Sequence, residues 1–253
     1  MDIILKLKEE LSVEKWQVEA AVKLIDEGNT IPFISRYRKE ATGSLNDEQL
    51  RNLHERLTYL RNLEEKKEQV IATIEEQGKM TDELKAKILA AETLVVVEDL
   101  YRPYRPKRKT RASVAKEKGL EPLAEFILKQ ATDKSLLEEA ANYINEEKEV
   151  KDAKEALQGA ADIIAESISD EADYRIYIRD ITTQEGTLTS TAKDEKEQSV
   201  YEMYYAYEEA IKKVAGHRVL ALNRGENEKF LTVKIVAPKE RILQFLAKKT
   251  IVS

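Results

Sequence analysis

The 253-residue chain carries 42 lysine and arginine against 48 aspartate and glutamate side chains, for a formal net charge of −6, with 42% hydrophobic and 36% charged residues and only 8 glycines and 5 prolines. This mix predicts a soluble, helix-rich globular protein of one large or two smaller domains, and a charge so near neutrality excludes whole-molecule attraction to nucleic acid, so that a polyanion site must be a local patch. The lack of cysteine excludes disulfides, thiolate metal sites and a cysteine nucleophile; His54 and His217 leave little room for histidine metal sites or triads; and no stretch reaches the roughly 20 apolar residues of a membrane span.

The amino terminus, from Met1 to Glu10, lacks a basic leader and an unbroken apolar core, so it does not read as a signal peptide and a cytoplasmic location is expected. Residues 2–10 and 13–27 read as two short amphipathic helices, with Ser12 placed to cap the second, Trp16 as a core anchor and Gly28 as the stop. Pro32 fits the first turn of a short helix, and Arg36, Tyr37, Arg38 and Lys39 form a small basic and aromatic cluster before Gly43. From Asn46 to Gln77 the pattern is one helix of about 48 Å. Leu50, Leu53, Leu57 and Leu60 keep a 3-4 spacing that Glu64 and Lys67 interrupt and Ile71 and Ile74 resume. Gly78 ends it, Thr81 caps a following helix that can pack back antiparallel, and the apolar run in Thr93 to Leu100 is expected to be helical as well.

The segment Leu100 to Arg111 holds two prolines, two tyrosines and six positive charges with no acidic residue. Tyr-Arg-Pro occurs twice in a row, and because proline fixes its own φ and pushes the preceding residue out of the helical region, the segment is expected to be extended. In a polyproline II ribbon Tyr101 and Tyr104 would share one edge and Arg102 and Arg105 another. Arg102, Arg105, Lys107, Arg108, Lys109 and Arg111 are the candidate phosphate contacts, assisted by Arg36, Arg38 and Lys39.

Helices resume over Ser113 to Lys118, Glu121 to Gln130 and Ser135 to Ile144, and a long one is predicted from Val150 to about Asp180 with Asp162, Glu166, Asp170 and Asp173 on one face. Thirteen acidic against four basic side chains lie between Asp133 and Asp173. A single acidic stripe is read as a solvated helix face rather than a metal site. Thr187 to Thr191 reads as a strand, Tyr201 to Tyr207 as a tyrosine-rich helical stretch packing on strands, with base stacking as its other use, Gly216 to Glu226 as either helix or strand, Phe230 to Val236 as a strand and Lys239 to Lys249 as a last helix. The fold class is thus mainly α, a multi-helix bundle with a long helical hairpin and a few short β-strands near the C-terminus. No catalytic residue, metal or cofactor is expected, and the chain does not read as an enzyme.

Four stretches resemble the bacterial transcription accessory protein Tex family: Asn29 to Gly43, Glu98 to Ala112, Lys118 to Ala124 and His217 to Glu226. The resemblance implies elongated, mostly helical nucleic-acid-binding proteins of the bacterial cytoplasm. Their N-terminal helical region has helix-turn-helix character and is followed by a ribonuclease H-like domain, helix-hairpin-helix elements and a C-terminal OB-fold RNA-binding domain. This chain resembles only the first part, and its ending at Ser253 reads as a cut at a domain boundary. The expected division is a helical domain over residues 1–185 and a small α+β segment over 186–253 leading toward the absent ribonuclease H-like domain. Expected partners are the RNA or DNA backbone, RNA polymerase or other transcription components, and the protein's own absent C-terminal domains, with no membrane. The other reading is a structural protein-docking region, its basic segment paired with the acidic helices and without nucleic-acid affinity of its own.

Overall fold

The computed structural model describes residues 1–106, 108–130 and 135–252, and the chain divides into two compact units, Met1–Tyr104 and Arg105–Ser253. The expected handover near residue 185 falls inside the second unit, where its last long helix passes into its first strand.

The first unit is all helical: α1 (Ile3–Leu11), α2 (Lys15–Asp26), α3 (Ile31–Tyr37), α4 (Asp47–Glu76), α5 (Asp82–Ala90) and α6 (Leu94–Tyr101). Local chemistry marks their ends. Asp2, Thr30, Asn46, Thr81 and Thr93 each turn a side-chain oxygen onto a backbone N–H of the helix that follows, and Asn46 and Gln49 cap reciprocally. The second helix is capped by Glu14 and Gln17; Ser12 instead ends α1 in the left-handed region, because the chain needs a reversal there before a new helix can start.

The 30-residue α4 is the spine against which α1, α2, α3, α5 and α6 all pack. Leu50, Leu53, Leu57, Leu60, Leu63, Val70 and Ile74 form its buried stripe, and Lys67 lies within the same stripe at 1% exposure. Burying an ammonium is costly unless it is paired. Its Nζ donates to Glu64 Oε1 at 2.8 Å and to the Leu89 carbonyl at 2.9 Å, so the charged break in the heptad pattern ties α4 to α5. Burial pushes the Glu64 carboxyl upward, but hydrogen bonds from Lys67 and the Met1 ammonium outweigh it and leave its pKa lowered. Arg56 to Glu10 and Arg61 to Asp26 are two-pronged pairs clamping α1 and α2 to the spine.

The second unit has a helical part and a sheet part. Helices α7 (Arg111–Glu117), α8 (Glu121–Lys129), α9 (Leu136–Ala141) and α10 (Ala153–Asp170) enclose Ala112, Ala115, Leu120, Leu123, Ala140, Ala156 and Ala160. Small residues let α7 and α10 approach closely: a Cβ on Gly159 would lie 2.4 Å from Leu120 Cδ1 and 3.2 Å from the Ala115 Cβ. Next come α11 (Ala172–Glu185), β1 (Thr187–Ala192), β2 (Ala206–Ala210), α12 (Gly216–Asn227), β3 (Leu231–Val236) and α13 (Lys239–Thr250). The sheet is antiparallel in the order β2-β1-β3, with Thr187 opposite both Ala210 and Val236. Tyr201, Tyr204, Leu222 and Leu231 form its core, while Phe245 of α13 stacks on Tyr177 of α11 with ring centroids 3.7 Å apart.

Three expectations change here. The helix predicted from Val150 to Asp180 is two, broken at Glu171 in extended conformation; Arg175 Nη1 donates to the Ser169 carbonyl that the break releases. Asp170 is buried, so Asp162, Glu166, Asp170 and Asp173 do not form one solvated face. The tyrosine stretch forms a 3-10 turn leading into β2 rather than a helical run, and Tyr201 and Tyr204 are buried, which removes them from any base-stacking role. The tail left open between helix and strand is helix α12, in which Gly225 is buried where a Cβ would lie 2.6 Å from Leu231 Cδ1.

Candidate nucleic-acid interface

The basic segment is built differently at its two ends. Its beginning is helical rather than extended. Arg102 adopts right-handed helical angles (φ −52°, ψ −42°) directly before Pro103, and residues Arg102–Tyr104 form a 3-10 turn continuing α6. Contacts with the spine override the local bias against helix before proline. Gln77 Nε2 donates to the Tyr104 carbonyl at 2.9 Å, and Lys66, paired with Glu98 at 2.8 Å, lies over the Tyr101 ring at 5.9 Å. Tyr101 and Tyr104 are half-buried, leaving Arg102 and Arg105 exposed, although each already has a partner within the protein.

Lys107 lies outside the described residues. Beyond it Arg108 and Lys109 are exposed, and among the described residues their side chains form no hydrogen bond or ion pair. Thr110 then starts α7 through a reciprocal cap: Ser113 N–H donates to Thr110 Oγ1 at 3.0 Å and Thr110 N–H to Ser113 Oγ at 2.8 Å. The cap places Arg111 at the first helical position with its side chain 86% exposed. Its Nε stands 3.8 Å from Asp162 Oδ1 on α10, beyond hydrogen-bond length. With the arginine this exposed and the contact this long, the pair is worth about 0–1 kcal/mol, so Arg111 can turn to another anion at little cost. Lys118 is held more firmly, bonding the Glu155 carboxylate at 3.0 Å and the Glu149 carbonyl at 2.8 Å.

The second cluster belongs to the first unit. Arg36, Tyr37, Arg38 and Lys39 are all exposed at the end of α3. Arg38 Cζ sits 5.1 Å from the centre of the Phe33 ring, whose centroid is 5.4 Å from that of Tyr37. Arg36, Arg38 and Lys39 therefore share one helix end, while Arg108, Lys109 and Arg111 share one short connection in the other unit. Trp16 departs from its expected core role: it is 52% exposed. Its ring edge lies over Gly43, where a Cβ would come within 2.5 Å of Cη2. The glycine at φ +61° was the available sequence signal for that close approach.

Among the described residues no three histidine or carboxylate side chains gather as a metal site, and no helix is long and apolar enough to cross a membrane.

Comparison with known proteins gives two family matches, to the Tex-like protein N-terminal domain over residues 1–75 and to the Tex central region over residues 132–251. Bacillus subtilis YdcI, described as an uncharacterized protein, is 51% identical over 97% of the chain and 35% of its own length. The transcriptional accessory protein Tex of Neisseria gonorrhoeae is 44% identical over 93% of the chain and 31% of its length. A human S1 RNA-binding domain-containing protein is 31% identical over 92% of the chain and 24% of its length. The chain thus spans about a third or less of the length of these relatives.

Proposed function

Because the chain belongs to the Tex-like family of transcription accessory proteins, we propose that it is a non-catalytic nucleic-acid-binding and scaffold region that grips phosphate backbones through Arg108, Lys109 and Arg111. Arg102, Arg105 and Lys107 precede these three in the sequence, and Arg36, Arg38 and Lys39 offer a separate basic contact on the first unit. The observation that carries the reading is the exposure of Arg108 and Lys109, whose side chains form no hydrogen bond or ion pair among the described residues, beside a capped helix start that holds the weakly paired Arg111. Phosphate contacts of this kind supply affinity without sequence choice. The name of the human relative, with its S1 RNA-binding domain, supports nucleic acid as the class of partner.

Fluorescence anisotropy of the 253-residue chain with labelled duplex DNA, at about 50 and 200 mM salt, tests the reading. Three engaged charges give a slope of log affinity on log salt of roughly −3. The Arg108→Ala, Lys109→Ala, Arg111→Ala variant loses most of that slope with its melting temperature unchanged. The Arg111–Asp162 and Lys118–Glu155 pairs favour a second reading, in which the basic segment is a protein-docking scaffold tied to the acidic helices. Under that reading the triple variant melts lower and binds nucleic acid no worse than the parent chain. Cleavage of DNA or RNA in Mg²⁺ that disappears in Asp162→Asn or Glu166→Gln would overturn the non-catalytic assignment.

A further inference from the structure

The geometry points to a base-stacking shelf on the first unit, formed by Trp16 and Tyr37, that takes a short run of unpaired nucleotides with Arg36 and Lys39 on their phosphates. This rests on the proposed function in one respect, that the polyanion is a nucleic acid.

Trp16 and Tyr37 are 52% and 66% exposed, and between residues 6 and 88 they are the large apolar side chains left open to solvent. Neither ring is loose. The turn after α3 is locked by Thr42, whose side chain is wholly buried and whose N–H and Oγ1 both donate to the Arg38 carbonyl at 3.1 Å, and by Ser44 N–H on the Lys39 carbonyl at 2.7 Å. Gln17 reaches across from α2, its Nε2 donating to the carbonyls of Thr42 and Gly43 at 3.2 and 3.1 Å. That clamp brings Trp16, the preceding residue on α2, onto the bare backbone of Gly43, one hydrogen-bonded turn from Lys39. At the start of that turn Tyr37 is braced by Phe33, which Arg38 covers. The two exposed rings thus stand at the two ends of the same braced turn, Tyr37 before it and Trp16 on Gly43, where each can stack an unstacked base.

The cations agree. Among the described residues the side chains of Arg36 and Lys39 form no hydrogen bond or ion pair, so each keeps its charge for an external anion. Glu14, Glu19 and Glu40 are exposed nearby, which confines the positive field to a few nucleotides. A duplex keeps its base faces inside the stack, where exposed rings cannot reach them, so the shelf selects single strands. An acidic peptide would use the cations but would leave the ring faces unused, and Ile34, the aliphatic neighbour, is fully buried and offers it no groove.

Trp16 is the sole tryptophan of the chain, so its emission reports on this place alone. Titration with a hexanucleotide of uridine or thymidine quenches Trp16 with the same affinity that anisotropy gives, whereas a duplex does not quench it. Tyr37→Ala, at an exposed position, retains the parent melting curve and weakens single-strand binding about fivefold or more. The Arg108, Lys109, Arg111 triple alanine variant keeps the quench. Oligonucleotide binding with unchanged Trp16 emission would overturn the shelf and leave the proposed function standing. Equal quenching by a poly-glutamate peptide would also overturn it, in favour of an acidic protein partner. Absence of hexanucleotide binding in both readouts would also overturn the shelf, while the duplex titration decides the proposed function separately.

Discussion

The two basic and aromatic segments look alike as sequence and differ in which half of their chemistry faces water. Around Leu100 to Arg111 the tyrosines are drawn against α4 by Gln77 and Lys66, and what remains outside is charge: Arg108, Lys109 and Arg111. Around Arg36 to Gly43 the charge and a ring both remain outside, because the turn is braced from behind by Gln17 and Thr42 rather than by burying Tyr37. Composition therefore predicts that a segment has affinity for anions, while its neighbours decide whether it also presents a π face.

Three perturbations separate the segments further. The largest effect is expected from Gly43→Val, which forces a β-branched residue to φ +61° and drives a side chain into Trp16. The left-handed strain and the overpacking together cost about 2–4 kcal/mol, read as a lower melting temperature with a shifted Trp16 emission. An unchanged emission would mean that Trp16 does not depend on the glycine. Next is Thr110→Ala, which removes one half of the reciprocal cap ahead of Arg111 and costs about 1 kcal/mol in a denaturant titration. It leaves Trp16 emission as it was, since Thr110 and Trp16 belong to different units.

The smallest effect is that of acid. Hydrogen bonds from Arg56 and Arg61 hold the Glu10 and Asp26 carboxyls below their ordinary range, and Glu64 is held low against its own burial. A depressed folded-state pKa contributes stability that is present above the unfolded value and is lost as pH falls through the folded one. Melting monitored by Trp16, which lies in the first unit, should hold from pH 7 down to the ordinary carboxylate range and decline below it. The Glu10 and Asp26 pairs are exposed enough that most of the decline should follow Glu64, whose protonation leaves the buried Lys67 ammonium without its anion. A Glu64→Gln variant that melts like the parent chain at pH 7 would show that this link contributes nothing.

Much of the fold was legible because its signals are local. Asn46 and Gly78 bracket α4 in the sequence as they do in space, Thr81 and Thr93 announce α5 and α6, and the alternation of Leu231, Val233 and Ile235 marks β3. The misreadings share a cause. Trp16, the helical Arg102 before Pro103 and the tyrosines of residues 201–207 all depend on partners far along the chain: Gly43, the end of α4 and strand β3.

The sequence by itself determined where helices start and stop, that their apolar stripes would need one another, and that positive charge would be concentrated in two places, because caps, periodicity and charge act over a few residues. Only the tertiary structure decided which side chains those places present. Exposure depends on what fills the space behind a residue, and a glutamine at 17 and a lysine at 66 do that work from outside the segments they shape.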